Sequence, residues 1–460
     1  MGTTNELANF VCKTQFQDLP PNVIEVAKSR ILDTIGSIIY SSNLIWSKKV
    51  ASFVQSHKSQ GKATIIAFGS KTSPPAAALT NGTMGHGFEL DDVHQGGMLH
   101  PGAVVIPAAL SVGEQESVDG RSFLLAVIMG YEVMCRIGIG VGAKYHMVKG
   151  FHPTGTNGPF GAAAAAGKIM RFKQAVMIDA LGIAGSTCSG IMQFTQDPSG
   201  GGEMIKRLHA GWASQSGVVA ALLARDGFRG PSDIIEGKFG YCNVYSEHPQ
   251  ISLTNHELGK SYEIMNVGTK PYACCTTMHA MVDGIEKLVK EYELKGDDIE
   301  EIKVGGAEKL VAFSGIYEID SAMAGQYSAP FVVALTILGG IRNPKNFKKV
   351  SDNEQGRNIK KIMMKTKLFH DDDLEKISPK TEGAKIIITL KNGKSIKTKV
   401  LHAKGNPNNE MSFEEICEKF VIITQNKISA KKRDQIIAMI QSLESMPNIS
   451  HLMKLLAKNK

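Results

Sequence analysis

The chain contains no C-x-x-C pair, and its seven cysteines (Cys12, Cys135, Cys188, Cys242, Cys274, Cys275 and Cys417) are odd in number. That argues against a disulfide framework and a zinc knuckle, and predicts reduced thiols. Tryptophan is scarce, at two residues, and basic residues are not interleaved with aromatics, so no nucleic-acid surface is expected. No uncharged apolar run suggests a membrane span, and Met1 to Phe10 lack the basic and apolar regions of a secretory signal, which leaves the cytoplasm as the expected location. G-x-x-x-x-G-K-[ST], G-x-S-x-G and H-E-x-x-H are all missing, which removes the usual warrants for a P-loop, a hydrolase elbow and a zincin. Gly138, Gly140 and Ala143 satisfy G-x-G-x-x-A, but they follow a helical pattern rather than a strand, so a dinucleotide fold is not expected either.

What is present is ordinary globular material: 460 residues, 43% hydrophobic and 21% charged, enough for two or three domains with a large core. The formal charge of +8 is spread along the chain and concentrates in helical-looking segments such as Lys427 to Arg433, which reads as solvated surface. Residues 1 to 265 are expected to be helical. Pro20-Pro21 suits a helix start, and Val23, Val26, Ala27, Ile31, Leu32 and Ile35 follow at helical spacing. Further helices are predicted at Ser73 to Gly85, Val104 to Glu116, Arg121 to Val133, Gly161 to Met170 and Lys173 to Ser186, with Pro159 in the first turn of the alanine-rich one. Residues 266 to 409 change texture: a helix from Thr276 to Tyr292, a strand at Ile302 to Val304, and strands Ala384 to Leu390 and Ser395 to Val400 joined by the hairpin turn Lys391-Asn392-Gly393-Lys394. From 410 to 460 helices return. The predicted fold class is mainly α with a smaller α+β domain: a large all-helical domain, 1 to 265 with 410 to 460, and an α+β lid.

Chemistry gathers in two runs. HGFELDDVHQGGMLHP, residues 86 to 101, holds Glu89, Asp91, Asp92, His94 and His100, and neighbouring carboxylates and imidazoles move one another's pKa toward the range useful for proton transfer. FHPTGTNGPFG, residues 151 to 161, places His152 and Thr154 on a Gly-rich loop before a helix whose free N–H groups suit a carboxylate. Lys206 and Arg207, with His209, follow the glycines Gly200 to Gly202, a loop expected to deliver two cations, and Lys270 opens KPYACCTTMH, which ends at His279. Cations beside such loops act as carboxylate clamps or lie on the surface. The His and carboxylate set could also serve a borderline metal, but no ligand spacing marks one, and no metal is expected.

The motifs HGFELDDVHQGGMLHPGAVVIPAAL, FHPTGTNGPFGAAAAAGK and KPYACCTTMH, with Ile31-Leu32-Asp33-Thr34-Ile35-Gly36 near the start, resemble in order and nearly end to end those of the MmgE/PrpD family. That family includes 2-methylcitrate dehydratases, cis-aconitate decarboxylases and an iminodisuccinate epimerase. The resemblance implies a homodimer and a cleft receiving Asp91, Asp92, His100, His152, Lys206, Lys270 and His279. Beside the decarboxylases, Glu89 stands for their Asp, Val93 for their Thr, and Phe331 near a Tyr.

What the family shares is a proton moved at a carbon next to a carboxylate, which needs a base near neutrality and cations for the enediolate charge. The expectation is therefore a cofactor-independent lyase, a hydro-lyase of the 2-methylcitrate type acting on a small di- or tricarboxylate, with a decarboxylase, an epimerase or a silent binding protein as alternatives. His100, His152, Asp91, Asp92 and Lys206 are the expected catalytic residues; Glu89, Thr154, Arg207, Lys270 and His279 are expected to bind substrate.

Overall fold

The computed structural model describes residues 2–196, 202–378 and 381–457. The chain divides into two units, Met1–Val267 with Phe413–Lys460, and Gly268–Ser412. Helices dominate the first and a four-stranded sheet organises the second, so the fold is mainly α with a smaller α+β unit.

Seven helices of the first unit bear on the site: α1 (Pro21–Ser41), α2 (Pro74–Gly85), α3 (Gly102–Glu116), α4 (Gly120–Gly140), α5 (Pro153–Ile169), α6 (Gln174–Ser186) and α7 (Gly202–Arg225). In α1 the stripe Val23, Ala27, Ile31, Leu32 and Ile35 is buried, as its spacing predicts, whereas Val26 is only partly covered. α7 lies against α2, α5 and α6. Small residues make that approach possible, because a β-carbon at Gly211 would overlap the Leu79 carbonyl and one at Gly217 the Pro159 carbonyl.

α5 departs from expectation. It begins at Pro153, so the stretch from Thr154 to Gly158 is helix rather than loop, and Pro159 sits inside it. Pro153 needs no N–H at the first helical position, and the His152 carbonyl accepts from Gly155 N (2.9 Å) and Thr156 N (3.1 Å). The bond lost at Pro159 is tolerated in a helix buried from Pro153 to Gly167.

α4 is the one helix among the described residues long and apolar enough to cross a membrane, yet 94% of its apolar window is buried inside the fold. Arg136 pairs with Glu132 at 2.8 Å and donates to the carbonyls of His256 (2.7 Å) and Ser261 (2.9 Å), an arrangement suited to a core helix. Gly138 and Gly140 close this helix, which leaves their glycine motif without the preceding strand that dinucleotide binding requires.

In the second unit α8 (His279–Tyr292) packs on a sheet of strands β1 (Ile299–Gly306), β2 (Thr366–His370), β3 (Ala384–Leu390) and β4 (Ser395–Val400), in the order β2-β1-β3-β4. β1 runs parallel to β2 and antiparallel to β3, and the β3–β4 hairpin closes through Leu390 N to Lys394 O at 2.8 Å. β2 was not predicted: its sequence, Thr-Lys-Leu-Phe-His, is short, and as an edge strand it needs no long apolar pattern.

Another helix, α9 (Phe413–Thr424), returns to the first unit and fits Phe420 and Ile423 against Gly36 of α1. Its buried Lys419 donates to Asp33 Oδ1 (2.5 Å) and to the Leu90 carbonyl (2.7 Å), fixing the end of the chain to both α1 and the loop after α2. Lys419→Met strands the buried Asp33 carboxylate and is expected to cost about 3–5 kcal/mol. Adding Asp33→Leu should recover most of it. Urea denaturation measures both, and a Lys419→Met cost below about 1 kcal/mol would show the pair to be dispensable.

Candidate active site

The loop from His86 to Pro101 joins α2 to α3 and is held at both ends. His86 N bonds the Gly82 carbonyl at 3.1 Å. At the other end Asp92 Oδ1 accepts from Gly102 N (2.9 Å) and Oδ2 from the Tyr131 hydroxyl (2.7 Å). Only glycine fits at 102, since a β-carbon there would lie 2.7 Å from the Tyr131 hydroxyl and 2.8 Å from Asp92 Oδ2. Burial pushes the Asp92 carboxyl up to about 7 despite these two donors. Its side chain anchors the loop to the start of α3 and to α4. Glu89 and Met98 bend the loop at φ +53° and +52°, a conformation that costs a residue with a β-carbon on the order of 1–2 kcal/mol. His94 belongs to another network: its Nδ1 accepts from Gly97 N (3.0 Å), so Nε2 carries the hydrogen and faces Glu263 at 3.1 Å.

Two imidazoles meet Asp91, and two more follow in ring-to-ring contact beyond them. Asp91 Oδ2 lies 2.6 Å from His86 Nδ1 and 3.2 Å from His100 Nδ1. His100 Nδ1 is also 2.7 Å from the Asp92 carbonyl, and because a carbonyl only accepts, that nitrogen carries hydrogen. The His86 ring centre is 5.0 Å from that of His100 and 5.9 Å from that of His152, and His152 is 5.1 Å from His209. His100 and His152 thus both neighbour the His86 ring. Burial keeps His86 below the usual histidine range against the opposing pull of Asp91, burial with the neighbouring imidazoles and Lys206 holds His152 well below it, and burial lowers His209 to about 4. Sequence reasoning passed over His86 and gave His209 no role. The signal for His86 is its place at the head of the 86 to 101 run, five residues before Asp91.

Lys206 and Arg207 arrive on the first turns of α7 rather than on a flexible loop; of the glycine run before them, Gly202 is helical and Ser199 to Gly201 lie outside the described residues. Both cations meet Glu89 Oε1, Arg207 at 2.7 Å, and Arg207 also approaches the His86 carbonyl at 3.3 Å. The expected clamps therefore already hold an internal carboxylate. The Thr154 hydroxyl accepts from His100 N at 3.2 Å, a loop-positioning contact. Lys270, His279 and Phe331 belong to the second unit. Lys270 is buried, His279 opens α8 with Nε2 donating to the Cys274 carbonyl (3.2 Å), and Phe331 is a core ring against Phe347.

His86, Asp91 and His100 offer ligand atoms all within 4.8 Å of one another, a two-histidine, one-carboxylate set able to hold a divalent transition metal. The 2.6 Å contact between His86 and Asp91 equally suits a shared hydrogen. Hydrogen-bonded imidazoles, one buried carboxylate and two nearby cations are the equipment of proton transfer at an acidic carbon.

Residues 5–254 match the MmgE/PrpD N-terminal domain and residues 272–445 the MmgE/PrpD C-terminal domain. The chain belongs to the MmgE/PrpD family. Among its relatives, the cis-aconitate decarboxylase-like protein oryM of Aspergillus oryzae is 26% identical over 99% of this chain and 97% of its own length. A cis-aconitate decarboxylase of Aspergillus terreus is 26% identical, covering 99% and 96%, and that of Homo sapiens 24%, covering 98% and 94%.

Neutral buried histidines give this MmgE/PrpD protein an acid limit. The unfolded chain binds protons at His86, His152 and His209 near the ordinary 6.5, whereas the folded chain withholds them, at His209 until about 4. Stability is thus fully present above about 6.5 and is lost as pH falls toward 4. The urea midpoint should drop between pH 7 and pH 5, and His209→Asn should flatten part of that drop; equal midpoints would contradict neutral burial.

Proposed function

We propose that this cluster runs a lyase reaction on a small di- or tricarboxylic acid by moving a proton at a carbon next to a carboxylate, with dehydration as the net reaction. The observation that supports it most is the placing of His100 and His152 both next to His86, with Asp91 shared by His86 and His100. His152, which burial keeps unprotonated, is the group assigned to receive the proton. His100, whose Nδ1 bears hydrogen beside the Asp91 carboxylate, suits the acid. In a dehydration the C–H proton passes to His152, the C–H electron pair becomes the new C=C bond, and the departing hydroxide takes a proton from His100 to leave as water. Lys206 and Arg207 offset the growing enediolate charge, with Glu89 moderating their field.

A second reading is favoured by the relatives, which align over nearly the whole chain and are named cis-aconitate decarboxylase or cis-aconitate decarboxylase-like protein. There the bond broken would be C–CO2, and an imidazole would protonate the carbon. Against it stand Glu89 and Val93, where the decarboxylases are expected to carry Asp and Thr; losing a hydroxyl donor penalises one substrate far more than another.

Purified protein incubated with citrate, methylcitrate, aconitate, tartrate and iminodisuccinate in deuterated water separates these outcomes by product mass. Loss of one water supports the dehydratase, loss of CO2 the decarboxylase, and deuterium uptake without net loss an epimerase. His100→Asn and His152→Asn should each lower kcat by about 10²–10⁴-fold. Undiminished turnover in either variant would remove that residue from the mechanism, and no turnover across the panel would sink the lyase reading.

We also propose a homodimer through the outer face of α7. Ile205, Trp212 and Val219, seven residues apart, are exposed beside Met204 and Leu223, with half of Trp212 open to solvent. Large exposed apolar stripes mark association surfaces. Trp212→Glu should halve the mass measured by sedimentation, and an unchanged mass would place the interface elsewhere.

A further inference from the structure

His152 and His209 face each other through like nitrogens, Nδ1 to Nδ1, at 2.9 Å. Two lone pairs at that distance repel and two N–H groups collide, so one nitrogen bears hydrogen and the other does not. The tautomer of one ring therefore dictates that of the other. His152 caps α5 and is buried, whereas His209, three residues after Lys206 on α7, is partly open. The Phe194 ring packs edge-on against both, at 5.2 and 5.7 Å, and keeps the pair in register. With Nδ1 engaged, Nε2 is the nitrogen His152 can offer a reacting group.

We propose that His209 is a positioning residue for His152, fixing which nitrogen of that ring bears hydrogen and receiving the hydrogen when His152 acts as a base. This rests on the reading of His152 as a proton-transfer group. His152 starts with hydrogen on Nδ1, donated to His209 Nδ1, and a lone pair on Nε2. Nε2 takes the proton from the substrate carbon, the C–H electron pair stays with that carbon, and the Nδ1 proton crosses to His209. One proton has left carbon and one has reached His209; His152 is neutral again with hydrogen on Nε2, and the imidazolium is His209. The positive charge thus lands on the ring nearer water. On His152 it would face His86 and His100 from the loop after α2 and Lys206 from α7, all of which oppose it.

The test uses the full chain labelled with 15N-histidine, ring tautomers being read from long-range proton–nitrogen spectra at pH 7 and assigned through His152→Asn and His209→Asn. Wild type should show hydrogen on His152 Nδ1 and a lone pair on His209 Nδ1. His209→Asn keeps a hydrogen-bonding partner near that position but cannot take up a proton, whereas His209→Phe removes both. The Asn variant should retain the His152 tautomer and the Phe variant should show a mixture. In both, kcat should fall about 10- to 100-fold with KM within about two-fold. The reverse tautomers in wild type, an unaltered His152 tautomer in the Phe variant, or wild-type kcat in both variants would overturn the proposal. Should wild type turn over no polycarboxylate, the lyase reading fails on its own, and the spectra still decide the pair.

Discussion

One oxygen of Asp91 lies within hydrogen-bond reach of two imidazoles, His86 at 2.6 Å and His100 at 3.2 Å, and the rest of the site is arranged so that it can. A carboxylate buried this deeply is tolerable only when surrounded by donors. The loop carrying it is therefore tied down on several sides. Asp92 holds the start of α3 and Tyr131 of α4, Lys419 of α9 grips the Leu90 carbonyl next to Asp91, and the Thr154 hydroxyl holds the backbone of His100. Helices from the beginning, middle and end of the first unit converge on about fifteen residues of loop. That convergence ties a site on irregular backbone to several helices at once.

The cations follow a different logic. Lys206 and Arg207 are both buried, and both meet Glu89, whose backbone sits in the left-handed region. Local strain is retained where surrounding contacts over-determine the conformation, and two cations on one carboxylate do so here. The pairing means that a substrate carboxylate entering this corner would compete with Glu89 for hydrogen bonds. Specificity at such a position depends on a balance of like groups, so exchanging Asp for Glu can redirect substrate choice without altering the proton chemistry.

Much of the fold is legible in the sequence because burial imposes a period. The α1 stripe and the Asn392-Gly393 hairpin follow from helical spacing and turn chemistry, each a local rule. Local rules fail where tertiary packing overrides them. Pro159 reads as a helix start, yet the helix already runs from Pro153 because the whole segment is buried. β2 escapes notice because an edge strand of five residues needs no pattern of its own. In the site, composition marks the loop from 86 to 101 as chemical but cannot say which acid faces which ring. The contacts of Asp91 with His86, Glu89 with Lys206, and His152 with His209 join positions brought together by the turn after α2 and by the packing of α7 on α2 and α5. The partners of Asp92, Gly102 and Tyr131, are likewise defined by the fold.

The central claim is that Asp91 and its imidazoles form one proton-transfer centre. Asp91→Asn preserves the side chain's size while removing its charge, and the rate at which solvent deuterium enters the substrate carbon reports proton transfer directly. A variant that stays folded and exchanges deuterium at least about 100-fold more slowly than wild type is the predicted result. Exchange at the wild-type rate would contradict it.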